Sequence, residues 1–122
     1  MTAIINSEPP IDIKEALDRA MGEKEFLMML LEEFSQGLAD QIEQLRQAIA
    51  RQDGAALTRQ SHTLKGAAGN LSAKAMAAVV RRLEAAGEKG DFASSEKLVN
   101  DMEGEAMRLQ RYLGQIDWSN LN

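Results

Sequence analysis

The chain has 122 residues, 14 basic and 19 acidic side chains, a net charge of −5 and no cysteine. This length is enough for one domain with a buried core, and the lack of cysteine excludes disulfides and thiolate metal sites. The acidic balance argues against nucleic acid as the main partner, because phosphate binding requires concentrated positive charge.

The first ten residues, MTAIINSEPP, contain both prolines and precede the patterned region. We interpret residues 1–10 as a flexible leader. They lack a basic segment followed by an apolar run, so we expect no secretory signal. No apolar run approaches the roughly 20 residues needed to cross a bilayer. We therefore expect a cytoplasmic protein without a membrane partner.

Composition and periodicity predict helices. Seven methionines, several alanine clusters and only five aromatic residues favour an all-helical chain. A short helix is predicted in IDIKEALDRAM, with Asp12 as its N-cap. A long helix is predicted from about Glu23 to Arg51, where apolar residues recur every three or four positions. These residues are Leu27, Leu30, Leu31, Phe34, Leu38, Ile42, Leu45 and Ile49.

Three further helices are predicted after the long one. Asp53 follows the break at RQDG and is expected to cap a helix that runs to about Asn70. Ser72, in GNLS, is expected to cap the next helix, whose apolar stripe closes at GEKGD. Asp91 is expected to cap the last helix, and Gly114 to terminate it.

The predicted fold class is all-α. Four long amphipathic helices joined by very short loops pack as antiparallel neighbours, in an up-down-up-down four-helix bundle. The bundle is expected to cover residues 11–114, with the short additional N-terminal helix over one end. Residues 115–122 form a C-terminal tail. The apolar stripes fit a closed monomer.

The only histidine lies on the helix face opposite the core stripe. Leu57, Leu64 and Leu71 lie within about 40° of one another on the helical wheel, and His62 points to the other side. The residues that share its face are Ala55, Thr58, Arg59, Lys65, Gly66 and Gly69.

The two glycines on the histidine face invite different interpretations. Gly66 is in the middle of the helix, where glycine is unfavourable, so we interpret its bare backbone as a place where another protein approaches closely. Gly69 either contributes to the same partner-binding surface or forms the exit turn of the helix, where glycine is common.

The chemistry available to this face is nucleophilic. A neutral imidazole has one free lone pair and can attack phosphorus to form a phosphoramidate. Lys65 is well placed to neutralise the charge of an arriving phosphoryl group. Arg59 can assist in binding, although a solvated surface arginine is an equally good interpretation. One histidine cannot build a zinc or di-iron site, and no glycine-rich nucleotide loop is present, so neither a bound metal nor ATP is expected.

The motifs SHTLKGAAGNL, LLEEF and RRLEAAGEKGD, in this helix order, resemble the histidine-containing phosphotransfer (HPt) domain family of bacterial two-component phosphorelays. The resemblance extends from about Ile11 to Leu113. It implies that His62 accepts a phosphoryl group from the phospho-aspartate of a receiver domain and passes it to another receiver. The partners implied are receiver domains of a hybrid sensor kinase or a response regulator.

The resemblance also implies roles for neighbouring residues. Lys65 and Gly66 match positions that support the phosphate and close docking, and Glu84 matches an acceptor that orients the imidazole; a surface glutamate is the competing interpretation. Many relatives have glycine where this chain has Ser72. The Mg²⁺ and the aspartates that drive transfer belong to the receiver in such systems, so no cofactor is expected here.

Three functional hypotheses remain open at this point. The leading one is a phosphorelay carrier without ATP binding or autonomous turnover, and therefore not an enzyme. The alternative is a non-phosphorylated docking module that binds and regulates a receiver or a sensor kinase. A purely structural bundle is the third, and it leaves the outward-facing Gly66 unexplained.

Overall fold

The computed structural model describes residues 8–121, which form five α-helices, a short 3-10 helix and no strand. The helices are α1 (Ile13–Arg19), α2 (Lys24–Ala50), α3 (Gly54–Asn70), α4 (Lys74–Lys89) and α5 (Phe92–Leu113), followed by the 3-10 turn Trp118–Asn120. Helix α2 contacts α3 and α5, and α4 contacts the same two helices. Helices consecutive in sequence are thus neighbours around a closed ring, which confirms the predicted up-down-up-down bundle with its additional N-terminal helix.

Aspartate caps begin three of the helices, as predicted. The carboxylates of Asp12, Asp53 and Asp91 each accept a hydrogen bond from the backbone amide three residues further on, at 3.2, 3.0 and 3.1 Å respectively. These bonds satisfy amide groups that have no partner inside the helix. Local sequence is therefore enough to start α1, α3 and α5.

The leucine stripes of the four long helices meet in one core. Its largest fully buried side chains are Ile11, Leu27, Leu31, Leu38, Leu45, Leu57, Leu64, Val80, Leu83, Val99, Met102 and Leu109. Leu30 and Leu71 are only partly buried, and Leu71 packs against this core. Burial of these apolar side chains supplies most of the stabilisation of the bundle.

Ser72 does not cap α4, and this prediction was wrong. The helix begins after Ala73, which makes no side-chain cap. Ser72 is instead buried, with a left-handed backbone at φ +59°, and its hydroxyl donates to Glu15 Oε1 at 2.8 Å. The side chain joins the α3–α4 turn to α1 and is therefore turned away from the start of α4. Glycine suits a left-handed backbone best, so this position favours glycine on conformational grounds.

Helix α1 covers the end of the bundle where α3 turns into α4. The Asp12 amide donates to the Ser72 carbonyl at 3.0 Å, and Arg19 Nη1 donates to the Gly69 carbonyl at 2.9 Å. Lys74 at the start of α4 reaches back to Asp12 Oδ2 at 3.4 Å and to Glu15 Oε2 at 3.2 Å. These contacts fasten α1 to the turn that follows α3.

The chain outside the helices packs partly on the bundle. Pro10 is buried, and the Glu8 carbonyl accepts a hydrogen bond from Arg108. Trp118 and Leu121 of the predicted tail are partly buried against the core. Residues 1–7 of the predicted leader lie outside the described residues, and the proposed domain boundaries stay predictions.

Two further features concern the helices themselves. Helix α5 ends at Leu113, and Gly114 keeps a right-handed backbone at φ −72°, so this end does not use the left-handed freedom of glycine. Within residues 8–121, every helix is too short or too polar to span a membrane.

Candidate functional site

His62 lies in the middle of α3 on the face that points away from the core. Its side chain is 69% exposed, whereas Leu57 and Leu64 on the opposite face are fully buried or nearly so. This arrangement confirms the predicted wheel. The imidazole is open to a partner while the leucines hold its helix in the bundle.

Glu84 of α4 reaches across to the imidazole. Its Oε2 lies 2.8 Å from His62 Nδ1, and its side chain is only 16% exposed. Two hydrogen bonds lower the pKa of the Glu84 carboxyl below its ordinary value; the one from Lys65 has the larger effect and the one from His62 the smaller. The group is therefore an ionised carboxylate at neutral pH and can only accept hydrogen bonds. It follows that Nδ1 is the protonated nitrogen of the neutral ring and that Nε2 has the free lone pair.

Lys65 is bound to the same carboxylate. Its Nζ donates to Glu84 Oε1 at 2.7 Å, one turn after His62 on α3. The lysine side chain is 30% exposed, less than half the exposure of the imidazole. Glu84 thus bridges two residues of α3 with its two oxygens, and the structure brings His62, Lys65 and Glu84 together.

The two glycines of the histidine face have open space around them. A Cβ atom built on Gly66 or Gly69 meets nothing within 4 Å outside its own helical neighbourhood. Packing inside the bundle therefore does not require glycine at either position. Gly69 is still inside α3, which ends at Asn70; the left-handed residue of the exit turn is Ser72, whose amide donates to the Gly69 carbonyl at 3.1 Å.

Arg59 is exposed one turn before His62 and lines an open groove beside it. The groove lies between the first half of α3 and the end of α4, with Ala55, Thr58 and Phe92 along it. Arg59 makes no ion pair within residues 8–121 in the structure. The Arg59 side chain is thus available at the edge of this groove, and its role in partner binding stays a prediction.

The charge of this half of the bundle differs from that of the whole chain. Residues 54–89, which form α3 and α4, contain six basic and only two acidic side chains, while the chain as a whole has a net charge of −5. Helix α3 contains no acidic residue at all. Helices α3 and α4 together therefore have an excess of basic side chains in an acidic protein, and such an excess attracts acidic partners.

Sequence reasoning did not single out Gly87, a glycine of α4 that packs directly against α3. It is buried, and a Cβ added there lies 2.8 Å from Thr58 Oγ1 and 3.2 Å from Leu57 Cγ. The available signal was a glycine on the α3-facing side of α4, one turn after Glu84. In the sequence, Gly87 is the first residue of GEKGD, and that stretch indicates only where the apolar stripe of α4 closes.

Comparison with known proteins relates this structure to a protein family. The model of the Hpt domain family matches residues 29–117, which include the histidine face and most of the bundle. Comparison with curated protein sequences gave no match. Among solved structures, the chain is similar to the crystal structure of histidine-containing phosphotransfer protein B (HptB) from Pseudomonas aeruginosa PAO1. The TM-score is 0.81 at 22% sequence identity, covering 95% of this chain and 100% of that one. The five-helix fold and the match to the family model together show that this chain belongs to the Hpt domain family.

Proposed function

We propose that this chain is a phosphorelay intermediate that accepts a phosphoryl group on His62 Nε2 from a receiver-domain phospho-aspartate and passes it to another receiver. Membership of the Hpt family gives the chain a phosphotransfer role in two-component signalling. The observation that carries the finer proposal is the bond between His62 Nδ1 and Glu84, on a face open to a partner.

The bond to Glu84 determines which nitrogen reacts. With the proton held on Nδ1, the Nε2 lone pair attacks the phosphorus of an acyl phosphate. A nitrogen–phosphorus bond forms, the phosphorus–oxygen bond breaks, and its electron pair leaves with the aspartate carboxylate. The ring gains positive charge during this step, and the adjacent Glu84 carboxylate stabilises that charge as it develops. The reverse step, on a second receiver, returns the ring to its starting tautomer.

The shape and charge of the surface support a receiver as the partner. Bare backbone at Gly66 lets the active site of a partner come close to the imidazole. The basic region formed by α3 and α4 suits a partner whose reacting centre is an acidic cluster of aspartates. In this proposal the Mg²⁺ is bound by those aspartates on the receiver, and this chain contributes the nucleophile and the docking surface. It has no autonomous turnover.

Intact-mass measurement tests the proposal most directly. The wild type and His62→Gln are incubated at neutral pH with phosphoramidate, and separately with a receiver domain phosphorylated beforehand. We expect one added phosphate on the wild type, lost on acid treatment, and none on His62→Gln. Because His62 is exposed, this substitution leaves the fold nearly unchanged, which circular dichroism checks. A phosphate that persists in acid, or that appears on both proteins, contradicts the proposal.

The same samples distinguish the carrier from the docking-module alternative. If receivers bind the wild type and His62→Gln equally, and no donor gives an adduct, the face serves binding alone. The geometry of Glu84 favours the carrier, because a docking surface has no need of a selected imidazole tautomer.

A further inference from the structure

We propose that Gly87 is a positioning residue, whose missing side chain sets the distance between α3 and α4 at which Glu84 reaches His62. This inference rests on the proposed function, since it concerns the tautomer that makes His62 a phosphoryl acceptor. It assigns to a buried glycine of α4 a part in the reactivity of an exposed histidine of α3.

The register of the two helices places Gly87 one turn from the site. Helices α3 and α4 run antiparallel, and His62 lies opposite Glu84. Thr58 lies one turn before His62, and Gly87 lies one turn after Glu84. The pair formed by Thr58 and Gly87 is therefore the neighbour of the pair formed by His62 and Glu84 along the same helix–helix contact.

The contact at Gly87 leaves no room for a side chain. A Cβ there would lie 2.8 Å from Thr58 Oγ1 and 3.2 Å from both Leu57 Cγ and the Thr58 backbone nitrogen. The threonine cannot simply rotate without loss, because Oγ1 donates to the Gly54 carbonyl at 2.8 Å. Gly54 belongs to the same crossing, since a Cβ there would lie 3.0 Å from the Gly87 carbonyl. Backbone on one helix thus faces backbone on the other.

A small separation of the helices has a direct chemical effect. To accept a methyl group at position 87, α4 must retreat on the order of half an ångström before the contacts reach ordinary van der Waals distance. The bond from His62 to Glu84 is 2.8 Å long, and a hydrogen bond from nitrogen to oxygen weakens beyond about 3.2 Å. A retreat of this size one turn away is enough to lengthen the bond to that limit. The ring is then free to hold its proton on either nitrogen.

The tautomer of His62 can be read without any phosphate donor. His62 is the only histidine, so a ¹H–¹⁵N correlation of histidine-labelled protein contains the signals of one ring. In the neutral form of the ring, we expect the wild type to hold its proton on Nδ1. We expect Gly87→Ala to lower the ratio of the Nδ1–H to the Nε2–H form roughly five- to tenfold, the factor for one lost hydrogen bond.

Matched variants separate positioning from general packing. Gly104→Ala is the control, because an added Cβ on this exposed glycine of α5 meets nothing within 4 Å. Its tautomer ratio should equal that of the wild type. Thr58→Ala in the Gly87→Ala background removes the atom in closest contact, and should move the ratio back toward the wild-type value. If Gly87→Ala does not fold, Gly54→Ala introduces a milder clash at the same crossing and is read in the same way.

An unchanged ratio in a folded Gly87→Ala or Gly54→Ala overturns the proposal, since Glu84 then reaches the imidazole whatever the helix spacing. Failure of the proposed function gives a different result. The wild type would then remain unphosphorylated by every donor, while the tautomer ratios could still follow the predicted order.

Discussion

Lys65 and Glu84 are joined across α3 and α4 by a hydrogen bond of 2.7 Å from Nζ to Oε1. The lysine predicted to neutralise the charge of an arriving phosphoryl group is thus already bound to the carboxylate that bonds to the imidazole. This bond makes the positions of Lys65 and Glu84 interdependent, because the lysine holds one carboxylate oxygen while His62 bonds to the other.

We expect Lys65→Ala to slow phosphotransfer about tenfold, as for the loss of one charge-assisted hydrogen bond, with a smaller effect on receiver binding. The lysine is also the largest cause of the lowered pKa of Glu84, so that pKa should rise in the variant. Transfer rates, binding constants and an NMR titration of the Glu84 carboxyl carbon measure the three effects. Lys97→Ala, at an exposed position of α5, is the control. Equal losses of rate and of binding would reduce Lys65 to a docking contact.

Substitutions at Gly66 should separate folding from docking. A Cβ there meets nothing within 4 Å, and glycine in a helix is less stable than alanine, so Gly66→Ala should raise the free energy of unfolding by roughly 0.5–1 kcal/mol. Gly66→Leu should also fold, yet it should block receiver docking, because the side chain projects into the space that a partner needs.

Urea unfolding and a binding titration provide the two readouts for Gly66. Gly104→Leu makes the same change on α5, also in open space, and should leave docking unaltered. If Gly66→Leu unfolds the protein, the glycine is a packing residue. If it binds receivers as the wild type does, the face around Gly66 is not the docking surface.

Ser72 should tolerate glycine better than alanine. Both substitutions remove the bond from the serine hydroxyl to Glu15, but only glycine relieves the left-handed backbone at φ +59°. We expect Ser72→Ala to be less stable than Ser72→Gly by about 1 kcal/mol in chemical denaturation. At the exposed helical Ala93, alanine should instead be more stable than glycine, so Ala93→Gly should lower the free energy of unfolding. Equal stability of the two Ser72 variants would mean that the turn carries no left-handed strain.

Acid should weaken the contact between α1 and the α3–α4 turn. The capping bond from the Glu15 amide lowers the pKa of the Asp12 carboxyl. Hydrogen bonds from Ser72, with the larger effect, and from Lys74 lower the pKa of the Glu15 carboxyl. A carboxyl group with a lowered pKa stabilises the fold fully above its ordinary pKa and loses that contribution as the pH falls through the lower, folded value. The free energy of unfolding should therefore decrease below about pH 4.

Lys74→Met tests this acid dependence. The variant removes the ammonium that bonds to both carboxylates. In urea melts, its difference from the wild type should be clear at neutral pH and should shrink on acidification, because the carboxylates are then protonated in both proteins. A difference of the same size at both pH values would show that Lys74 stabilises the turn by packing alone.

The sequence by itself determined the features that depend on neighbours along the chain. Periodicity over α2 and α3 predicted which face is buried, and it placed His62 opposite Leu57 and Leu64. Asp12, Asp53 and Asp91 predicted three helix starts, because a cap and its amide are only three residues apart. Such contacts form whenever the helix forms, so they can be predicted from local pattern.

Only the tertiary structure decided the contacts that cross from one helix to another. Glu84 was identified by resemblance alone, and nothing in the local pattern showed that it binds His62 and Lys65 together. Ser72 was misassigned as a cap because its partner, Glu15, is 57 residues away. Gly87 looks like an ordinary helix glycine until α3 is packed against it. The distance between two helices results from the side chains along their whole shared face, and no short stretch of sequence contains that information.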